Sequence, residues 1–189
     1  MHWTSQFRIP KKLKQVTLWI HPEGRFVGSL FLNLQRKNYT GEEEPLEVLN
    51  QADPFLVCKR ENPDELRFYN KVSIVRVEYH EETPPPSEGV EPLSCRLYMM
   101  DGSIIEGSIR RPLPPGRSRL YDYLNMDDEQ FSKLHVGDGN ICLVNKSYIV
   151  CVTPLSTSNN DNTNSDDANQ LYDKYEPGNT AMLILTKKK

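Results

Sequence analysis

Apolar and polar residues alternate along "QVTLWI" (15–20) and "SCRLYMM" (94–100). A period of two is the mark of a strand with one face in a core. A turn follows each run, "HPEG" in one case and "DG" in the other. Asp-Gly favours a tight hairpin because both residues tolerate positive φ. The next runs, "RFVGSLFLN" (25–33) and "SIIEGSIR" (103–110), each carry an interior glycine, Gly28 and Gly107. A glycine inside a strand marks a bulge, a bend or a close backbone approach. Two matched glycines predict strands that curl into small barrels. A polar loop then leads to a short helix at "PLEVLN" (45–50) and at "RLYDYLN" (119–125). Pro45 suits a first helical turn, and Ser118 is predicted to cap the second helix. Three more strands finish each set: "PFLVCK", "ELRFYN" and "SIVRV", then "FSKLHV", "NICLVN" and "YIVCV".

The two sets superpose on the sequence itself. At an offset of 79, "LWIHPEGRFVGSL" (18–30) lies over "LYMMDGSIIEGSI" (97–109) without a gap. At an offset of 75, "LEVLN" (46–50) lies near "YDYLN" (121–125), and "NKVSIVRV" (70–77) over "NKSYIVCV" (145–152). The separation of Leu49-Asn50 from Asn70-Lys71 equals that of Leu124-Asn125 from Asn145-Lys146. The agreement in order, spacing and type predicts an internal duplication.

The predicted organisation is therefore mainly β: two tandem small barrels, each with one short helix between its second and third strands. The first repeat spans 1–79 and the second 93–155. A Pro-rich acidic linker, "HEETPPPSEGVEP" (80–92), joins them. Residues 156–172 form a low-complexity polar segment with too little apolar surface to fold. The tail, 173–189, holds the run "TAMLILT", which could add a strand to a sheet edge in the same chain or in a neighbour.

The stretch "MMDGSIIEGSI" (99–109) resembles the first half of the first Sm motif, and "VNKSYIVCV" (144–152) occupies the slot of the second. The chain is thus similar to tandem Sm-like, or SH3-like, small barrels. The segments "RSRLYDYLN" and "NKSYIV" are also similar to stretches in a bacterial protein family of unknown function. RNA-binding Sm proteins carry Arg-Gly in the second motif, whereas here the slot holds Asn70-Lys71 and Asn145-Lys146. The resemblance implies the barrel and does not carry RNA binding with it.

Charge and chemistry narrow the picture further. Apolar and charged fractions of 37% and 26% fit a folded chain. A net charge of -3 argues against wholesale electrostatic binding to nucleic acid. No apolar run approaches the roughly 18 residues that span a bilayer. The start, "MHWTSQFRIPKKLKQ", has no apolar stretch after its positive charges, so a cytoplasmic location and no membrane partner are expected. Cys58, Cys95, Cys142 and Cys151 lack metal-ligand spacing and read as small buried apolar side chains. Neither a metal, a cofactor nor a catalytic motif is predicted.

The best ligand candidate is "RRPLPPGRSRLYDYLN", where Arg110, Arg111, Arg117 and Arg119 fall close together and Ser118 leads into a helix. Guanidinium forks suit phosphate, and Lys146 could add a charge. The plainer reading pairs these arginines with the acids of "EYHEE" (78–82) or "DDE" (127–129). Asn70, Lys71, Asn145 and Lys146 read as repeated turn residues. The sequence thus predicts a non-catalytic binding or scaffold protein that acts through a protein partner or self-association. RNA or nucleotide binding through the 110–119 loop is the alternative.

Overall fold

The computed structural model describes residues 11–35, 41–82, 90–112, 119–126 and 129–155. Five strands come first: β1 (Lys11–Ile20), β2 (Gly24–Asn33), β3 (Phe55–Arg60), β4 (Glu65–Asn70) and β5 (Ile74–His80). Five follow: β6 (Leu93–Met99), β7 (Ile104–Ile109), β8 (Phe131–His135), β9 (Asn140–Asn145) and β10 (Ile149–Pro154). Helix α1 (Pro45–Asn50) lies between β2 and β3, and α2 (Leu120–Leu124) between β7 and β8. The fold is mainly β.

All ten strands belong to one antiparallel sheet in the order β10-β6-β7-β8-β9-β5-β1-β2-β3-β4. The first five read β5-β1-β2-β3-β4 and the last five β10-β6-β7-β8-β9. The second order is the first with every number raised by five. The halves meet where β5 pairs with β9, from Arg76↔Val144 to His80↔Asn140. The strands at the two ends of the sheet order are β4 and β10.

Local chemistry explains the turns and caps. Gly24 and Gly102, which close the two hairpins, have φ of 95° and 81°, the region that favours glycine. Pro45 opens α1, and Glu44 and Glu47 form a reciprocal capping box there. Helix α2 is preceded by Arg119, whose side chain makes no capping bond. The expected cap, Ser118, lies outside the described residues, as do Arg117 and the predicted tail.

The interior glycines owe their identity to close approach. A Cβ on Gly28 would sit 2.8 Å from the Cys58 sulfur, and one on Gly107 would sit 2.5 Å from the His135 carbonyl oxygen. Neither distance can be tolerated, so β2 comes this close to β3, and β7 to β8, only because a side chain is missing.

Two apolar cores result. One contains Leu18, Leu30, Leu49, Leu56 and Val77 of the first half, joined by Phe131, Ile141 and Leu143 of the second. The other contains Cys95, Leu97, Met99, Tyr123 and Leu134 of the second half, joined by Val75 of the first. Each half therefore completes the other's core across the β5·β9 seam. At about 25 cal/mol per Å² of apolar surface, such burial is the main force holding the halves together.

Candidate interaction site at the sheet edges

The repeated dipeptides have a repeated geometry. Asn70 precedes a single 3-10 turn, and its side-chain oxygen accepts from the Val72 amide at 3.2 Å. Asn145 does the same with the Ser147 amide at 3.0 Å. Both asparagines have negative φ, so the side-chain bond, and not tolerance of left-handed backbone, fixes their type. The following lysines reach back to their helices. Lys71 Nζ donates to the Gln51 carbonyl and Lys146 Nζ to the Met126 carbonyl, each at 2.8 Å. Lys71 is buried, and burial lowers the pKa of its ammonium while nearby Asp53 opposes the change.

The 110–119 loop is only partly described. Arg111 pairs with Glu129 of the "DDE" stretch at 2.8 Å, the pairing the plainer sequence reading expects. Arg110 donates to the Ser108 hydroxyl at 3.3 Å and is exposed, as is Arg119. Near Arg110, His135 has a lowered pKa because of its burial and the charges of Arg110 and Lys133, with Glu81 opposing them. Lys133 itself is bound to Glu81 at 2.9 Å.

A groove of about 460 Å³ runs beside the seam, lined by Thr17, Tyr79, His80, Asn140 and Cys142 among others. Two of its side chains stay protonated at neutral pH. Burial pushes the Cys142 thiol up to about 12, and it pushes the Tyr79 hydroxyl up as well. A thiol so far from ionisation is neither a nucleophile nor a ready metal ligand. Cys58 and Cys95 are likewise raised to about 11 by burial. Cys151, expected to be buried, is instead exposed on β10, because that strand ends the sheet.

The seam shows what a partner of these strands looks like. Phe131, Ile141 and Leu143 of β8 and β9 are 1% exposed or less, sunk in the first core. Asn50, at the end of α1, clamps the Phe131 backbone. It accepts from the Phe131 amide at 2.8 Å and donates to its carbonyl at 3.0 Å. Asn145 donates across the seam to the Ile74 carbonyl at 2.8 Å and to that of Lys71 at 3.4 Å.

The corresponding positions at the far edge carry equally apolar residues. Phe55 faces Asn70 across β3·β4 as Phe131 faces Asn145 across β8·β9. Leu66 and Phe68 precede Ile141 and Leu143 by the same sequence offset that carries Asn70 onto Asn145. Yet Phe55, Leu66 and Phe68 are 53%, 58% and 68% exposed. At the other end, Val150 is 64% exposed whereas Val75, its counterpart on β5, is 4% exposed. Apolar residues concentrated at edges that pair with no further strand among the described residues mark a site for pairing with another chain. The sequence signal for this was available: "PFLVCK" and "ELRFYN" place large apolar groups on both faces of their strands, more than one core needs.

No protein-family model, curated protein or solved structure matches the chain.

Proposed function

We propose that the chain is a non-catalytic scaffold built from a duplicated Sm-like small barrel, acting through protein–protein contacts at its two end strands. The carrying observation is the contrast between Phe55, Leu66 and Phe68, exposed on β3 and β4, and their buried counterparts at the seam. The duplication is supported by the shared strand order and the paired Asn-Lys geometry. Four free cysteines fit a reducing compartment, which agrees with the bacterial cytoplasm. Anion or RNA binding by the 110–119 loop draws on Arg110 and Arg119, while Arg111 is held by Glu129.

A photo-reactive phenylalanine placed at Phe68, or at Arg110, separates these readings in cells that make the protein. Protein adducts from position 68 support the scaffold. Nucleic-acid adducts from position 110, with none from position 68, overturn it in favour of RNA binding.

A further inference from the structure

We infer that the partner is a second copy of this chain, added head to tail, with β4 of one copy pairing antiparallel with β10 of the next. The inference rests on the scaffold reading above and on the duplication within it. The seam supplies the template. Shifting β9 back by one repeat gives β4, and shifting β5 forward by one repeat gives β10. The pairs Arg76↔Val144, Val77↔Leu143, Glu78↔Cys142 and Tyr79↔Ile141 then become Cys151↔Tyr69, Val152↔Phe68, Thr153↔Arg67 and Pro154↔Leu66. Pro154 has no N–H and so limits the ladder at that end.

Three further features of the seam have counterparts ready at the edges. Phe55, Leu66 and Phe68 enter the second core of the next copy, beside Ile149 and Val152, which are only partly buried now. Asn125 stands one repeat after Asn50 and is placed to clamp the Phe55 backbone of the neighbouring copy. In the single chain it turns back to the Tyr121 carbonyl at 2.8 Å. The Asn70 amide group reaches the Lys146 and Ile149 carbonyls of the next copy, as Asn145 reaches those of Lys71 and Ile74.

The two edges are different surfaces, so the contact is heterologous. A dimer leaves one edge of each kind open, and association continues until a ring closes or a filament grows.

Light scattering on the purified full chain, over a range of concentrations, tests this. The expected mass is more than twice the 21.8 kDa chain, and Phe68→Glu returns it to one chain with an unchanged circular dichroism spectrum. Geometry is tested by mixing Phe68→Cys chains with Val152→Cys chains, both carrying Cys151→Ser, and adding a short bis-maleimide. Mixed dimers are expected, and Phe68→Cys chains alone should not link. A single-chain mass at every concentration, or links between two Phe68→Cys chains, overturns the inference. If the purified chain stays single while position 68 captures a different protein in cells, only the self-partner falls. If position 68 captures nothing as well, the scaffold reading falls with it.

Discussion

The Lys71 ammonium lies 2.8 Å from the carbonyl oxygen of Gln51, back along the chain where α1 ends. Lys146 repeats the contact with Met126 at the same sequence separation. A helix end leaves carbonyls without intrahelical partners, and a cation there meets both the hydrogen-bonding need and the helix dipole. The shared spacing of Leu-Asn and Asn-Lys is thereby explained: the lysine ties the backbone just past each helix to the 3-10 turn before β5 or β10. Lys71→Ala is expected to lower stability by about 1–3 kcal/mol, the loss of a part-buried hydrogen bond from a charged donor. Lys146→Ala should cost less, since Lys146 is more accessible. Urea midpoints of the two variants check the order.

These lysines also show how far the sequence could be read. Strand "NICLVN" and strand "ELRFYN" fall where their apolar content and flanking turn residues put them, and α1 occupies "PLEVLN". Local composition determines such elements because a short apolar run between turn residues suits a strand whichever partner it later meets. The seam was not legible in the same way. That β5 pairs with β9 depends on which edges meet, and either strand alone shows only that it is apolar. The extension of β5 to His80, the first residue of the stretch read as a linker, follows from that pairing. The surplus apolar groups Phe55, Leu66 and Phe68 were visible in the sequence, but their meaning required the buried counterparts at the seam.

Arg76 joins the halves by a different chemistry. Its guanidinium lies 3.8 Å from the centre of the Trp19 ring and donates to Glu78 and to Asp101, each at 2.8 Å, and to the Ser103 hydroxyl at 3.0 Å. Burial alone would raise the Asp101 pKa, but bonds from Ser103 and the Arg76 charge outweigh it and hold the carboxyl below its usual range. A depressed carboxylate stabilises the fold above its unfolded pKa, about 3.9, and the contribution is lost as pH falls through the folded value. Arg76→Ala is expected to cost about 2–3 kcal/mol at neutral pH, less than for a fully buried pair because Asp101 reaches solvent. Its stability should also fall less steeply than that of the parent protein below pH about 4. Denaturant titrations at neutral and acid pH measure both effects.

Gly107 is the position where the smallest substitution should do the most damage. Strands β7 and β8 share a single ladder pair, Ser108↔His135, and the His135 carbonyl is the atom an added methyl would strike. Gly28 faces a comparable clash, with the Cys58 sulfur at 2.8 Å and the Lys59 carbonyl oxygen at 2.9 Å, but β2 and β3 share three pairs. Gly107→Ala is expected to cost about 3 kcal/mol and Gly28→Ala about 1–2 kcal/mol, within the usual range for overpacking. Amide exchange in β8 should quicken in the Gly107→Ala protein. Equal protection of β8 in both proteins would show that the strands yield without parting.

Thiol labelling reads the edges without any mutation. Cys58, Cys95 and Cys142 are buried, with thiols pushed up to about 11, 11 and 12, so they expose neither a surface nor a thiolate to an alkylating reagent. Cys151 is exposed, and in dilute native protein it alone should react with iodoacetamide. Its counterpart at the seam is Arg76, which is buried. If a second chain covers β10 as β9 covers β5, the Cys151 rate should fall as protein concentration rises, and Phe68→Glu should restore the dilute rate. A rate independent of concentration would mean that β10 stays open to solvent, and the edge would then be free for a partner other than the chain itself.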